Sequence, residues 1–135
     1  MEIVTGRPPF PWAESVQYSQ SVAAGDLVFT AGQGGFDGEG NVVEGGIEAQ
    51  IRQTFANLAA ALAVHGAGLD GIVKLTVYVA NKDDYDAFKR VRAEVLAPPF
   101  PASTAIECDV SSPVSCTAVA SMKIAAAPPR ARAAW

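Results

Sequence analysis

The segment PPFPASTAIECDV, residues 98–110, carries hydroxyl groups and a carboxylate that could do chemistry. Ser103 and Thr104 could act as nucleophiles only with a general base within hydrogen-bond reach. The single histidine, His65, stands far away in the sequence at the predicted end of a helix, so covalent catalysis is not expected. Ser103 and Glu107 lie an even number of residues apart on a predicted strand and therefore share one face. Glu107 is the acid–base candidate of this segment.

The two cysteines, Cys108 and Cys116, are not spaced as a metal or redox pair, and one histidine leaves few zinc arrangements. The sequence also has no phosphate-cradling Gly-Lys loop. We therefore expect neither a metal nor a cofactor, and buried free thiols. Counted about the turn at residues 111–113, the cysteines could face each other across a hairpin. A disulfide is thus an alternative, which a reducing compartment would oppose.

Composition and charge set the class of protein. The chain has 135 residues, of which 50% are hydrophobic and 18% are charged. This composition predicts a single folded domain over residues 1–135. Within it we expect an irregular arm at residues 1–13 and a flexible tail at residues 126–135. A net charge of −4 argues against nucleic-acid binding. There is neither an apolar run of membrane-spanning length nor a basic-then-apolar signal pattern, so we expect a soluble cytoplasmic protein with no membrane contact.

Hydrophobic spacing predicts the elements. VQYSQSVAAGDLVFTAGQGG reads as a hairpin, and Ile47, Ile51, Phe55, Leu58 and Leu62 recur at helical spacing up to the glycines of HGAG. A central strand (GIVKLTVYVAN), a second helix (YDAFKRVRAEVL) and two final strands (ASTAIECDV and VSCTAVASMKIAA) follow. The order β-β-α-β-α-β-β predicts an α+β fold, a mixed sheet covered on one face by two helices. Because the other face is also largely apolar, we expect an oligomer that packs sheet against sheet.

These segments resemble the Rid family, also called the YjgF family. YSQSVAAGDLVFTAGQ is similar to the family's opening, with Tyr-x-Gln, a Gly-turn and a strand that ends in Gly-Gln. The similarity continues through the first helix, the Ala-Gly-Leu turn, the strand VKLTVYV and the helix start DDYDAF. FPAST stands where the family has Phe-Pro-Ala-Arg-Ser. The resemblance covers roughly Tyr18 to Ile124, and order and spacing make it specific.

The resemblance implies a chorismate-mutase-like fold, a homotrimer, and small-molecule pockets in the clefts between subunits. Well-studied members hydrolyse reactive imines and enamines to keto acids and ammonia without a cofactor. In those members an arginine on the strand after the Pro-Ala turn holds the substrate carboxylate, and a glutamate on the last strand places water.

This sequence departs from the family at that point. Ser103 occupies the arginine position, Ala105 a neighbouring cysteine position, and Val119 the glutamate position of the last strand. A serine cannot make the charged bidentate contact of a guanidinium. We therefore do not expect ordinary 2-imino-acid deamination.

The resemblance places other groups in the pocket. Tyr18 matches the pocket tyrosine, and the N–H of Gly32 matches a carboxylate-binding amide. Together with Glu107, the acid–base candidate of the predicted strand at residues 102–110, Tyr18 is a predicted catalytic residue. Contacts to substrate are expected at Gly32, Gln33, Lys89, Ser103 and Thr104, where Lys89 could supply a cation in place of the arginine. Three of these residues have a structural alternative: sheet packing for Tyr18, solvation for Lys89, and an interface ion pair for Glu107.

Two hypotheses follow for function. The first is a divergent Rid-type hydrolase or deaminase, recruited to a specialised pathway, for a small imine, enamine or related metabolite. The second is a non-catalytic trimer that binds a small molecule or a protein. Ribonuclease activity is disfavoured by the acidic charge.

Overall fold

The computed structural model describes residues 1–122. Its seven strands are β1 (Ile3–Gly6), β2 (Ser21–Ala24), β3 (Leu27–Thr30), β4 (Gln33–Gly34), β5 (Ile72–Val79), β6 (Ala102–Glu107) and β7 (Val114–Ser121). The two α-helices are α1 (Gly46–Ala63) and α2 (Tyr85–Val95), and single turns of 3-10 helix occur at Pro11–Ser15, Leu69–Gly71 and Lys82–Asp84. The expected flexible tail at 126–135 lies outside the described residues.

The strands form one mixed sheet in the order β1-β2-β3-β7-β5-β6, and β4 pairs with β7 beside β3. β5 and β6 are parallel, because α2 connects them as a crossover, and all other pairs are antiparallel. The predicted α+β fold is confirmed, with β1 and β4 as two further short strands. The predicted order corresponds to β2-β3-α1-β5-α2-β6-β7.

The helices cover one face of the sheet and form the core there. On β5, Leu75, Val77 and Val79 are buried, whereas the alternate residues Lys74, Thr76 and Tyr78 are half-buried on the open face. α1 contributes the buried side chains Ile51, Phe55, Leu58 and Leu62, and α2 contributes Phe88 and Val91. The rings of Phe55 and Phe88 stack with centroids 5.6 Å apart, which joins the two helices above the sheet.

The glycines of HGAG end α1 as predicted. Gly66 has a φ of +75°, which a residue without a Cβ adopts at little cost. Its N–H donates to the carbonyl of Ala63 at 3.0 Å, and the N–H of Ala67 donates to that of Leu62 at 3.2 Å. These bonds satisfy carbonyl groups in the last turn of the helix.

The prediction of an irregular arm over residues 1–13 was wrong in part. Ile3 to Gly6 form β1, which pairs with β2 from Ile3↔Ala24 to Gly6↔Ser21. The backbone of β2 would otherwise be an unpaired sheet edge, so pairing satisfies its polar groups. The prolines at positions 8, 9 and 11 end this strand but do not prevent it.

His65, at the end of α1, is half-buried against β1. A Cβ added at Gly6 would lie 2.6 Å from His65 Nε2 and 2.5 Å from both Ser21 Oγ and Val64 Cγ2. β1 therefore packs on the end of α1 at a distance that only glycine allows.

The cysteines do not face each other across a hairpin. β5 lies between β6 and β7 in the sheet, so Cys108, just after β6, is separated from Cys116 on β7. Both thiols are free, with Cys116 buried and Cys108 half-buried. The alternative of a disulfide was wrong because β6 and β7, although consecutive in sequence, are not neighbours in the sheet.

Within residues 1–122, no helix has both the length and the apolar character that crossing a bilayer requires.

Candidate functional site

β6 carries the central candidates on an open edge of the sheet. It is the outermost strand, and all six of its residues are exposed. Ser103 and Glu107 are in register with the core residues Leu75 and Val79 of β5, so they share one face, as predicted. That face is the one that the helices cover elsewhere in the sheet. Both residues lie beyond the helices' cover, where a ligand or a second chain can reach them.

Glu107 is held by the turn that precedes α2. Its Oε2 accepts the backbone N–H of Lys82 at 2.6 Å, where the 3-10 turn Lys82–Asp84 begins. The same turn is capped by Asn81, whose side chain accepts the N–H of Asp83 at 2.9 Å. The bond to Lys82 fixes the direction of the Glu107 carboxylate and gives it a structural role within the chain, which differs from the interface ion pair considered above.

Thr104 lies on the opposite face from Ser103. It is in register with Thr76 of the open face, and its Oγ1 accepts a hydrogen bond from Lys74 Nζ at 2.7 Å. The two hydroxyl groups therefore cannot line the same wall of a pocket.

Lys89 is engaged on the surface of α2. Its Nζ lies 3.0 Å from Asp86 Oδ1 and 5.6 Å from the centroid of the Tyr85 ring. The ion pairs Arg52–Glu94 and Arg90–Glu48 place another side of α2 against α1. The ammonium of Lys89 thus has partners already, although it remains half-exposed.

At the other end of the sheet, Tyr18 and the Gly32–Gln33 segment flank β2 and β3. Tyr18 is 57% exposed, whereas Gln33 is buried and its Nε2 donates to Gln20 Oε1 at 2.9 Å. A Cβ at Gly32 would lie 3.2 Å from Ser115 Oγ, so the backbone of this segment runs close to β7. The side chain of Gln33 therefore links β4 to the residue before β2 and is not presented to solvent.

One chain does not bring Tyr18 and Glu107 together. Tyr18 precedes β2, and four strand spacings, about 19 Å, separate β2 from β6 in the sheet. Gly32 adjoins β4, which pairs with β7, so three strand spacings, about 14 Å, separate it from β6. The site predicted from the sequence is therefore divided between two ends of the sheet. The individual roles of its residues stay predictions.

A cavity of about 790 Å³ opens beside Tyr18, between residues 5–11 and residues 13–20. Pro8, Phe10 and Val16 line it along with Arg7 and Glu14. The Phe10 and Trp12 rings stack with centroids 5.4 Å apart and stiffen this segment. The sequence does not indicate Arg7 and Glu14 as site residues, since an isolated charge beside prolines has no pattern typical of a site.

The described residues include no cluster of three or more His, Cys, Asp or Glu side chains able to hold a metal ion.

Known proteins resemble this chain over most of its length. The sequence model of Ribonuc_L-PSP, described as endoribonuclease L-PSP, matches residues 11–116. The mitochondrial protein mmf2 of Schizosaccharomyces pombe is 39% identical over 89 residues, which cover 66% of this chain and 70% of that protein. A protein of Dermatophagoides farinae named 2-iminobutanoate/2-iminopropanoate deaminase is 33% identical over 90 residues, which cover 66% of this chain and 70% of that one.

Among solved structures, RidA from the Antarctic bacterium Psychrobacter sp. PAMC 21119 superposes with a TM-score of 0.74 and 30% identity. The superposition covers 79% of this chain and 89% of that one.

Proposed function

Because this chain belongs to the endoribonuclease L-PSP family, the Rid family that its sequence resembles, we propose that it is a cofactor-free deaminase or hydrolase for a small imine, enamine or related metabolite. The sites would be the clefts between the subunits of a cytoplasmic homotrimer. The relative named as a 2-iminobutanoate/2-iminopropanoate deaminase supports the reaction class.

The observation that carries this proposal is the division of the polar groups between two exposed ends of one sheet. Tyr18 is exposed at one end, and Ser103 and Glu107 are exposed on the edge strand β6 at the other. When copies of the chain are placed around a symmetry axis, one end of each copy can approach the other end of its neighbour. Two half-sites would then form one cleft in each interface.

The proposed chemistry needs water and one proton carrier. Water adds to the C=N carbon, the C–N bond breaks, and the products are a carbonyl compound and ammonia. Glu107 would take a proton from the attacking water and return it to the leaving nitrogen, while Tyr18 and Ser103 would hold the substrate by their hydroxyl groups. The bond from the Lys82 N–H occupies one carboxylate oxygen of Glu107 and orients the other.

The test is to compare Glu107→Gln with the wild type on imines generated in situ, from 2-aminobutanoate by an amino-acid oxidase and from butylamine by an amine oxidase. We expect the wild type to accelerate ammonia release from at least one imine, and the variant to lose about 100-fold or more of that acceleration. Glu94→Gln is the matched control. Glu94 forms an ion pair with Arg52 of α1, away from β6, so this variant should leave the rate unchanged.

A non-catalytic binding trimer is the second candidate, because the bond between Glu107 and Lys82 gives Glu107 a structural task. Full activity of Glu107→Gln would exclude the catalytic assignment. No acceleration by the wild type on either imine would favour the binding module.

A further inference from the structure

We infer that the cavity beside Tyr18 binds the carboxylate of a small organic acid through Arg7. The inference rests on the proposed function, since Tyr18 belongs to both, and it names a carboxylate-bearing substrate class. It also assigns a residue of the N-terminal segment to the site.

The shape of the cavity suits such a ligand. Its volume of about 790 Å³ lies within the range of small-molecule sites in proteins. Pro8, Phe10 and Val16 supply apolar wall, and Arg7, Glu14 and Tyr18 supply polar groups to the same cavity. The lining thus mixes apolar wall with polar groups that can orient a small metabolite.

The charge of Arg7 is available to a ligand. Within residues 1–122, neither Arg7 nor Glu14 forms an ion pair, although both line the cavity. A guanidinium binds a carboxylate with two parallel hydrogen bonds, which a lysine cannot reproduce. Lys89, the cation expected from the sequence, is instead paired with Asp86.

The wall of the cavity also contains a buried amide that lacks an acceptor. Gln20 lines the cavity and is 3% exposed. Its Oε1 accepts from Gln33, but its Nε2 has no hydrogen-bond partner among the described residues. A buried donor without an acceptor is costly, so a ligand oxygen that reached Nε2 after a small shift of the wall would be favoured.

Arg7 would thus supply the positive charge that binds the carboxylate, at the end of the sheet where Tyr18 lies. Ser103, at the arginine position on β6, cannot supply this charge. The family resemblance placed the carboxylate contact on β6. Here the exposed guanidinium near an aromatic pocket residue lies at the opposite end of the sheet. The two arrangements predict different binding residues for the same acid, which makes them separable by experiment.

The experiment is a titration of ¹⁵N-labelled full-length protein with 2-oxobutanoate, a stable keto acid, and with its uncharged amide, followed by NMR. We expect 2-oxobutanoate to shift the amide signals of Arg7, Tyr18 and Gln20. Arg7→Gln should weaken its binding by roughly 10- to 100-fold, the loss expected for a hydrogen-bonded charge. The amide should bind the wild type and this variant equally.

Arg52→Gln is the control, because it removes the same charge from the α1 surface, where Arg52 is bound to Glu94. Equal binding of 2-oxobutanoate to wild type and Arg7→Gln, or shifts confined to β6, would overturn the inference and leave the proposed reaction standing. Arg7-dependent binding without acceleration of any imine would instead support the inference and count against the proposed function.

Discussion

Cys116 lies in the centre of the sheet, and its burial has a consequence at alkaline pH. Its side chain is fully buried on β7, and loss of hydration raises the pKa of the thiol from 9.0 to about 12. The folded state therefore holds its proton more tightly than the unfolded state. The resulting stabilisation is complete below pH 9.0 and is lost as the pH rises toward about 12.

We predict that the free energy of unfolding of the wild type falls more steeply between pH 9 and 12 than that of Cys116→Ala. The extra slope should approach about 1.4 kcal/mol per pH unit, the value for one proton. Urea denaturation across this window measures it, and Cys108→Ala serves as the control. Parallel curves for wild type and Cys116→Ala would show that the thiol does not titrate differently on folding.

At the scale of elements, β1 depends on a glycine. A Cβ at Gly6 would lie 2.5 Å from Ser21 Oγ and Val64 Cγ2, so Gly6→Ala must push β1 away from β2 and the end of α1. We expect a loss of about 1–3 kcal/mol in unfolding free energy, typical of overpacking. Relative to the wild type, this variant should also show faster hydrogen exchange of the β1 amides, with a smaller change in β5.

Gly38→Ala is the matched control for this prediction. Gly38 lies in a loop, and a Cβ there would meet no atom within 4 Å. Its stability should change by no more than about 0.5 kcal/mol. If both variants unfold at the same denaturant concentration, the close packing of β1 is not required for stability.

At the scale of the whole molecule, the open face of the sheet bears an apolar row. Phe29 is 44% exposed and is in register with Val22 on one side and Val119 on the other. Exposed apolar surface costs about 25 cal/mol per Å², so a second copy of the chain that covered this row would be stabilised by it. This arrangement agrees with the homotrimer of the proposed function.

We therefore predict that the protein scatters light as a trimer of the 14.0 kDa chain at micromolar concentration. Phe29→Lys should shift the species toward the monomer, because it places a charge in the interface. Val42→Lys should not, since Val42 is comparably exposed but lies in the loop between β4 and α1. A wild type that scatters as a monomer would remove the inter-subunit cleft, and with it the proposed site.

The sequence by itself determined the helices, the main strands and the family. The apolar residues of α1 from Ile47 to Leu62 recur at helical spacing, and β5 is a run of β-branched and aromatic residues, so each element is specified by its own residues. Such periodicities are local, and they predict which side of an element is buried without reference to the rest of the chain. They also placed Ser103 and Glu107 on one face.

Only the tertiary structure decided which distant residues meet. β5 inserts between β6 and β7 and separates Cys108 from Cys116, and the strand order places Tyr18 and Glu107 at opposite ends of the sheet. β1 becomes a strand because the edge of β2 offers it partners, and Arg7 gains a cavity because residues 5–11 lie opposite residues 13–20. Strand order and cavities depend on long-range pairing and packing, which local spacing does not encode.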